Sequence, residues 1–509
     1  MRLDELSAVL GQTAQGAPSV SDGAVEIGGL AHDSRAVKPG DLFICVGGFN
    51  SDGHDYAAAA VASGAAALVL ERPLGLGVPE VVVDSARHAM APLAACFYGH
   101  PDRTLAVVGV TGTNGKTTTA YLVRALLEAC GRQCGLLGTV KSVIGGHERA
   151  VQRTTPEAIE LQRDLRAMLD GGDRACAIEV SSHALELGRA QQIEFTAAVF
   201  TNLTQDHLDF HQTMEDYFQA KRLLFVPRDG PPPRVSVINV GDRYGQRLAA
   251  EIPDARTFAL DAPADYSASD LECAFDGCRF TLHTPAGERE MSLGLPGRFN
   301  VANALGALAA AHALGCELDT LVGALERGVH VPGRFEPVDE GQDFAVLVDY
   351  AHTPDSLENV LRAAGELVGG GQSGPGAERG RVICVFGAGG DRDRGKRPLM
   401  GEIAARLAGV VFVTSDNPRS EEPDRIIAEI MAGVDVAARE RVRTLSDRRE
   451  AIMQAVACGG SGDVIVIAGK GHEQGQEFAA GRKLAFDDVE VAREALRARL
   501  ASAAGAGAR

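Results

Sequence analysis

Short, almost unbroken apolar runs recur along this chain, separated by stretches whose apolar residues fall at helical spacing. Leu105-Ala106-Val107-Val108, Ala175 to Val180, Ala197 to Phe200 and Val235 to Asn239 read as buried strands. Continuous rather than alternating apolar character is what a strand covered on both faces requires, so these runs predict a largely parallel sheet. Ala120 to Cys130, Met214 to Phe225 and the Ala-rich Asn300 to Leu314 supply helices. A smaller set comes earlier: strands at Asp41–Val46, Ala67–Leu70 and Glu80–Val83, with a helix over Tyr56 to Ser63. Another follows Val331, with strands at Ala345–Val348, Arg381–Phe386, Val410–Val413 and Asp463–Ala468 and helices between them. The chain is therefore expected to be α/β with three domains. These are a small N-terminal α/β domain over 1–101, a central parallel-sheet domain over 102–332 and a C-terminal Rossmann-like doubly wound domain over 333–500. Gly369 to Gly380 reads as a flexible surface loop, and 501–509 as a disordered tail.

Composition narrows the class. With 509 residues, 45% apolar and 23% charged, the chain has material for several cores. A formal net charge of −18 argues against a nucleic-acid or acidic-membrane partner, yet leaves room for anionic small ligands at local positive sites. The ten cysteines include no Cys-x-x-Cys pair; Cys45, Cys176 and Cys384 lie in apolar strand-like runs and read as reduced core residues. The N-terminus lacks a basic region followed by an apolar core, and no uncharged apolar run reaches membrane-spanning length. A cytoplasmic protein without membrane insertion is expected.

The chemistry begins at Gly109-Val110-Thr111-Gly112-Thr113-Asn114-Gly115-Lys116-Thr117-Thr118. It lies between an apolar strand and a helix, the setting of a phosphate-binding loop, which makes the central domain P-loop ATPase-like. Glycines let backbone N–H groups turn toward phosphate oxygens, Lys116 adds a full charge, and Thr117 can offer its hydroxyl to magnesium. Val110 stands where the general pattern has a glycine. Glu179 closes a strand and precedes Ser181-Ser182-His183, a carboxylate suited to magnesium beside serines suited to capping a helix. Thr201-Asn-Leu-Thr-Gln-Asp206-His207-Leu-Asp209-Phe-His211 gathers more histidine and aspartate than a core needs. Lys221 falls near the apolar face of its helix, where spacing alone favours a snorkelling surface lysine.

Thr111 to Thr118, Glu179 to His183, Thr201 to His211, Gly297-Arg-Phe-Asn-Val-Ala-Asn303 and Asp349-Tyr-Ala-His-Thr-Pro-Asp355 together closely resemble the Mur ligases of bacterial cell-wall synthesis. The resemblance runs from about Asp33 to Asp487 in matching order, and this family uses the shorter loop that Val110 implies. Asp33-Ser34-Arg35 with Gly40-Asp-Leu-Phe43, Gly387 to Arg397, and Ser415-Asp416-Asn417-Pro418-Arg419-Ser-Glu-Glu-Pro423 resemble the branch that adds the third residue of the peptide stem. That resemblance implies an ATP-dependent amide ligase joining meso-diaminopimelate to UDP-N-acetylmuramoyl-L-alanyl-D-glutamate with Mg2+, and acting as a monomer. The L-lysine-adding ligase is the alternative in the family; a folylpolyglutamate synthetase and a non-catalytic nucleotide-binding protein are alternatives outside it.

By the same resemblance, Gly112, Thr113, Asn114, Gly115, Lys116, Thr117 and Thr118 hold the ATP phosphates, and Asn303, Arg334 and Asp349 contact the nucleotide. Thr117, Glu179, His207 and Lys221 serve magnesium, Lys221 as a carbamate. Lys116, Glu179, His207 and Lys221 form the catalytic set. Ser34, Phe49, Asn50 and Ser51 match the uridine site, and Thr154, Thr155, Ser181 and Arg189 the muramoyl-peptide site. Arg392, Asp416, Asn417, Pro418, Arg419, Gly469 and Glu473 match the amino-acid site, with Arg419 placed to bind the second carboxylate that diaminopimelate has and lysine lacks.

Overall fold

The computed structural model describes residues 1–13, 25–48, 51–151, 153–370 and 380–507. They form two compact units: Met1–Thr111 with Gly131–Val199 and Gln219–Ser236, and Gly112–Cys130 with Phe200–Phe218 and Val237–Arg509.

The first unit opens with four parallel strands in chain order, Gly29–Ala31, Asp41–Ile44, Ala67–Leu70 and Glu80–Val82. Leu42, Ile44 and Val69 pack on one face of that sheet, and Phe43, Leu68 and Leu70 on the other. The same unit carries β1 (Ala106–Thr111) and β2 (Ala175–Glu179), which pair in parallel with Val110 opposite Glu179. Ala197–Phe200 lies beyond β1 and Cys134–Leu137 beyond β2. An antiparallel hairpin, Ser142–Ile144 and His147–Arg149, continues past Cys134–Leu137. Val110 is buried inside β1, so the strand runs past the position at which a longer phosphate loop would start.

In the second unit, helix α1 (Lys116–Ala129) starts four residues ahead of the apolar run that signals it, because Gly115 caps it in a left-handed conformation. A three-stranded antiparallel meander, Ser267–Ala274, Gly277–Thr284 and Gly287–Leu293, has no counterpart in the sequence reading. Its strands alternate polar and apolar residues, as a sheet exposed on one face does. Cys273 and Cys278 face each other across its first turn and are joined by a disulfide. Cys45, Cys176 and Cys384 are buried and free, as expected.

The C-terminal part of the second unit is built on a sheet of five parallel strands, with the two-residue strand Glu336–Pro337 antiparallel at one edge. Strands β3 (Ala345–Asp349), β4 (Val382–Phe386), β5 (Val410–Thr414), β6 (Val442–Leu445) and β7 (Val464–Ala468) lie in the order β3-β7-β4-β5-β6, all parallel. Alternate residues feed two cores, Cys384, Val413 and Val466 on one face and Ile383, Phe412 and Ile465 on the other. Helices Pro354–Gly370 and Lys396–Leu407 cover the first face; α2 (Arg448–Cys458) and α3 (Asp488–Gly507) cover the second. This is the doubly wound arrangement read from the sequence. The tail departs from expectation: α3 continues through Gly507, since the alanine-rich sequence after Ala501 favours helix. Gly369 and Gly370 end a helix, while 371–379 and 508–509 lie outside the described residues.

Candidate active site

The phosphate-type loop is set by two glycines with no room for a side chain. A Cβ on Gly112, at φ +154°, would lie 1.8 Å from Thr201 Oγ1, and one on Gly115, at φ +84°, would lie 2.3 Å from Asn303 Oδ1. Polar ties fix the intervening residues. Asn114 N–H donates to Asn202 Oδ1 at 2.9 Å, Thr201 Oγ1 to Asn114 C=O at 2.6 Å, and Thr113 Oγ1 to Thr204 C=O at 3.1 Å. Lys116 folds its ammonium back onto the loop, donating to the carbonyls of Gly112 (3.0 Å) and Thr113 (2.8 Å). Thr118 is buried on α1.

The residues expected from the sequence to contact the nucleotide meet this loop within the same unit. Arg334 Nη2 donates to Thr117 Oγ1 at 2.8 Å while its guanidinium stacks on Tyr350, 4.6 Å from the ring centroid. Asn303 lies against Gly115 and within 3.5 Å of Thr119 Oγ1. Asp349, at the end of β3, accepts the N–H of Phe335 at 2.6 Å and of Ala351 at 2.7 Å. Burial pushes its carboxyl up, and Arg334 opposes that.

The C-terminal ends of β3, β5 and β7 border a cavity of about 190 Å³, the place where open α/β sheets bind ligands. It collects His207, Arg392, Asp416, Asn417, Arg419, Gly469 and Glu473, all singled out in the sequence. Pro418 does not line it; its carbonyl packs against Gly390. Arg419 has φ +50°, a left-handed conformation rare for a residue with a side chain. Its N–H donates to Glu477 C=O at 3.0 Å, its Nε to Glu477 Oε2 at 3.0 Å and its Nη1 to Gly390 C=O at 2.7 Å. The strained backbone is thus held on several sides and the side chain is fixed in the cavity wall.

Three residues of this cavity region were given no role in the sequence, although His352 and Lys396 lie inside quoted motifs. Lys470 is fully buried and donates to Asn417 Oδ1 and Glu473 Oε2, each at 2.9 Å, with Asp416 Oδ1 at 3.7 Å. Burial alone would raise the Asp416 carboxyl; Lys470, then Arg448, outweigh it and hold Asp416 below the usual carboxylate range. Lys396 lies 3.8 Å from Asp206, which it and His207 hold ionised against the cost of burial. His352 is kept neutral by burial and then by Lys396. Its Nδ1 donates to Tyr350 C=O at 2.7 Å, which leaves Nε2 as a proton acceptor. The only forerunner of Lys470 in the sequence was a lysine between glycines directly after an apolar strand.

The remaining predicted residues belong to the first unit. Glu179 is 1% exposed and accepts from Thr139, N–H at 2.7 Å and Oγ1 at 3.1 Å. Thr139 Oγ1 also lies 3.1 Å from Thr154 Oγ1. Thr155 Oγ1 donates to Glu179 C=O at 2.8 Å and accepts the Ser181 N–H at 3.1 Å. Arg189 donates to Thr155 C=O at 3.4 Å and pairs with Glu157 at 3.0 Å. So Thr154, Thr155, Glu179, Ser181 and Arg189 form one connected group. Ser181 also caps the following helix, accepting the Ala184 N–H. Ser34 starts a short turn capped by Asp33, and Ser51 is exposed; Phe49 and Asn50 lie outside the described residues. Lys221 is 1% exposed, which rules out the snorkelling surface lysine that spacing favoured.

Thr117 and His207 belong to one unit, Glu179 and Lys221 to the other. Among the described residues no three His, Cys, Asp or Glu side chains cluster as a metal site. The Thr117 hydroxyl and the Glu179 carboxylate are hard oxygen donors of the kind magnesium takes.

Residues 26–98, 110–311 and 333–471 match models described as Mur ligase family, catalytic domain; Mur ligase middle domain; and Mur ligase, glutamate ligase domain. The chain belongs to the Mur ligase family. Its Mur ligase relatives include the UDP-N-acetylmuramoyl-L-alanyl-D-glutamate–2,6-diaminopimelate ligase of Syntrophomonas wolfei, 47% identical over 479 residues, covering 93% of this chain and 96% of that one. The protein of the same description from Geobacillus kaustophilus is 46% identical, covering 94% and 96%. Among solved structures, one described as a UDP-N-acetylmuramoyl-L-alanyl-D-glutamate–2,6-diaminopimelate ligase is 34% identical, with a TM-score of 0.64, covering 93% of this chain and 95% of that chain. The three-domain architecture is that of the Mur ligases. Among the described residues, no helix is long and apolar enough to cross a membrane.

Proposed function

We propose that the protein is the ATP-dependent ligase that joins meso-2,6-diaminopimelate to the D-glutamyl γ-carboxylate of UDP-N-acetylmuramoyl-L-alanyl-D-glutamate, in the synthesis of peptidoglycan precursors. The observation that carries it is the convergence of Arg419, Asp416, Asn417 and Glu473 on one cavity. A second carboxylate on the incoming amino acid finds a guanidinium fork there, and its ammonium groups find carboxylates. Lysine has nothing to offer Arg419.

The reaction follows from the groups present. A carboxylate is a poor electrophile, so its oxygen first attacks the γ-phosphorus of ATP, giving an acyl phosphate and ADP. Lys116 exchanges its loop carbonyls for phosphate oxygens and offsets the charge in transfer. The amine of the amino acid, once deprotonated, attacks the acyl carbon, and phosphate leaves with the electron pair of the C–O bond. We assign the amine proton to His352 Nε2, on the wall of the same cavity. Thr117, Glu179, His207 and carbamylated Lys221 are the residues we assign to magnesium, which when bound neutralises phosphate charge. We assign Asn303, Arg334 and Asp349 to the nucleotide, Ser34, Phe49, Asn50 and Ser51 to uridine, and Thr154, Thr155, Ser181 and Arg189 to the muramoyl peptide. Arg392 and Gly469 complete the amino-acid site beside the four residues above, with Pro418 shaping their loop. Domain boundaries near 101 and 332, a monomeric state and a cytoplasmic location complete the reading.

The deciding experiment is ADP release with the UDP-linked dipeptide and a panel of amino acids. Turnover with meso-diaminopimelate is expected. Turnover with L-lysine alone would shift the assignment to the lysine-adding ligase, and nucleotide binding without any ligation would overturn it.

A further inference from the structure

Arg448 and Asp488 form an ion pair in which neither side chain is exposed, Nε to Oδ1 at 2.8 Å and Nη2 to Oδ2 at 2.6 Å. No step of the ligation uses either residue. Two arguments say that the pair does more than hold the core together. Withdrawing both charges from water cancels most of what their attraction returns, so a well-packed apolar pair would serve stability about as well. Arg448 is also the first residue of α2, where the helix dipole disfavours a cation. Asp488, at the start of α3, is favoured by the same effect.

What the guanidinium does with its remaining hydrogens is informative. Nη2 also donates to Ala468 C=O at 3.0 Å, and Nη1 reaches Ser415 C=O at 3.5 Å. Ala468 ends β7 and Ser415 directly follows β5, two strands that are not neighbours, since β4 lies between them. The next residue along one is Gly469; along the other it is Asp416. These two are packed so closely that a Cβ on Gly469 would lie 2.7 Å from Asp416 Oδ2. Gly469 N–H in turn donates to Asp349 C=O at 3.0 Å, which extends the tie to the end of β3. A monodentate or apolar side chain at 448 could not reach both carbonyls while gripping Asp488.

We propose that Arg448, clamped by Asp488, is a positioning residue for the amino-acid substrate: it fixes the separation of the β5 and β7 ends and so aims Asp416 at an ammonium group of diaminopimelate. The inference rests on the ligase reading above.

The test is steady-state kinetics on the full-length enzyme carrying Arg448→Met with Asp488→Leu, an apolar pair of similar size. We expect an unfolding midpoint close to wild type, a KM for meso-diaminopimelate raised roughly tenfold or more, and KM values for ATP and the UDP-linked dipeptide within about twofold. Arg448→Lys, keeping the charge and Asp488, should fall between. An unchanged KM for diaminopimelate in the folded double variant overturns the proposal, as does a uniform rise in all three KM values. If the double variant does not fold, Arg448→Lys decides: a selective rise in the diaminopimelate KM supports the proposal, and its absence overturns it. Wild-type enzyme that accepts only lysine would defeat the ligase assignment instead, and the same variants would then be read on the lysine KM.

Discussion

Arg334 Nη2 donates to Thr117 Oγ1 at 2.8 Å, although the two lie 217 residues apart in sequence. Thr117 is the hydroxyl we assign to magnesium, and here it accepts from a cation that we assign to the nucleotide. Arg334→Lys should raise the KM for ATP roughly tenfold or more, because a single ammonium cannot stack on Tyr350 and bond Thr117 at once. Thr117→Val, which removes only the hydroxyl, should instead raise the magnesium concentration needed for half-maximal rate. Magnesium and ATP titrations of the two variants would separate these effects, and identical profiles would contradict the division.

Lys221 is enclosed, at 1% exposure. Burial takes the amine out of water, which disfavours its charged form, and carbamate formation consumes a neutral amine. Lys221→Ala should abolish ligation while retaining nucleotide binding. Wild-type protein should take up label from isotopic bicarbonate, and the variant should not. A variant with near wild-type turnover would remove the carbamate from the mechanism.

Arg419 should decide the choice of amino acid. Arg419→Ala is expected to raise the KM for meso-diaminopimelate by about ten- to a hundredfold, the worth of a charge-assisted hydrogen bond to a carboxylate. Turnover with L-lysine should change little, since lysine lacks the second carboxylate that would lose that contact. An amino-acid panel on the variant measures both; equal losses on the two substrates would mean that Arg419 supports the loop rather than the ligand.

Acid should loosen the C-terminal part of the second unit through Glu421. Arg397, with no exposed side chain, binds both Glu421 and Glu429 and donates to Gly389 C=O. Its hydrogen bonds hold the Glu421 carboxyl down at about 2. A carboxyl lowered on folding contributes stability above its unfolded value, and that contribution is lost as pH falls toward its folded one. Thermal midpoints should therefore drop from the ordinary glutamate range down to about pH 2 more steeply in wild type than in Glu421→Gln. Parallel curves would show that Glu421 is not the group responsible.

Buried parallel strands were legible because both their faces are apolar: Ala67–Leu70, Ala197–Phe200 and Val235–Asn239 fall where the runs place them. The meander of 267–293 was not, since a strand with one wet face shows alternation broken by charged residues such as Asp270 and Glu272. Motif order singled out residues at strand ends, and one cavity unites most of those we assign to the amino acid. Lys470 and Arg448 could not be read that way, and Lys396, though inside a motif, gave no sign of its partner Asp206. A buried cation is recognisable only by the partners that neutralise it, and Asp488 is 40 residues from Arg448. Lys221 shows the converse: helical spacing put it near an apolar face without telling whether the amine escapes to water, and the fold encloses it.

The left-handed backbone at Arg419 sets folding against discrimination at a single position. A glycine or asparagine there would relieve strain of about 1 kcal/mol. A library selected for heat resistance alone should therefore drift to those residues at 419, and its survivors would be sturdier proteins that no longer tell one diamino acid from another. On the proposed function, an arginine in so costly a conformation serves the choice of cell-wall building block rather than the stability of the enzyme that adds it.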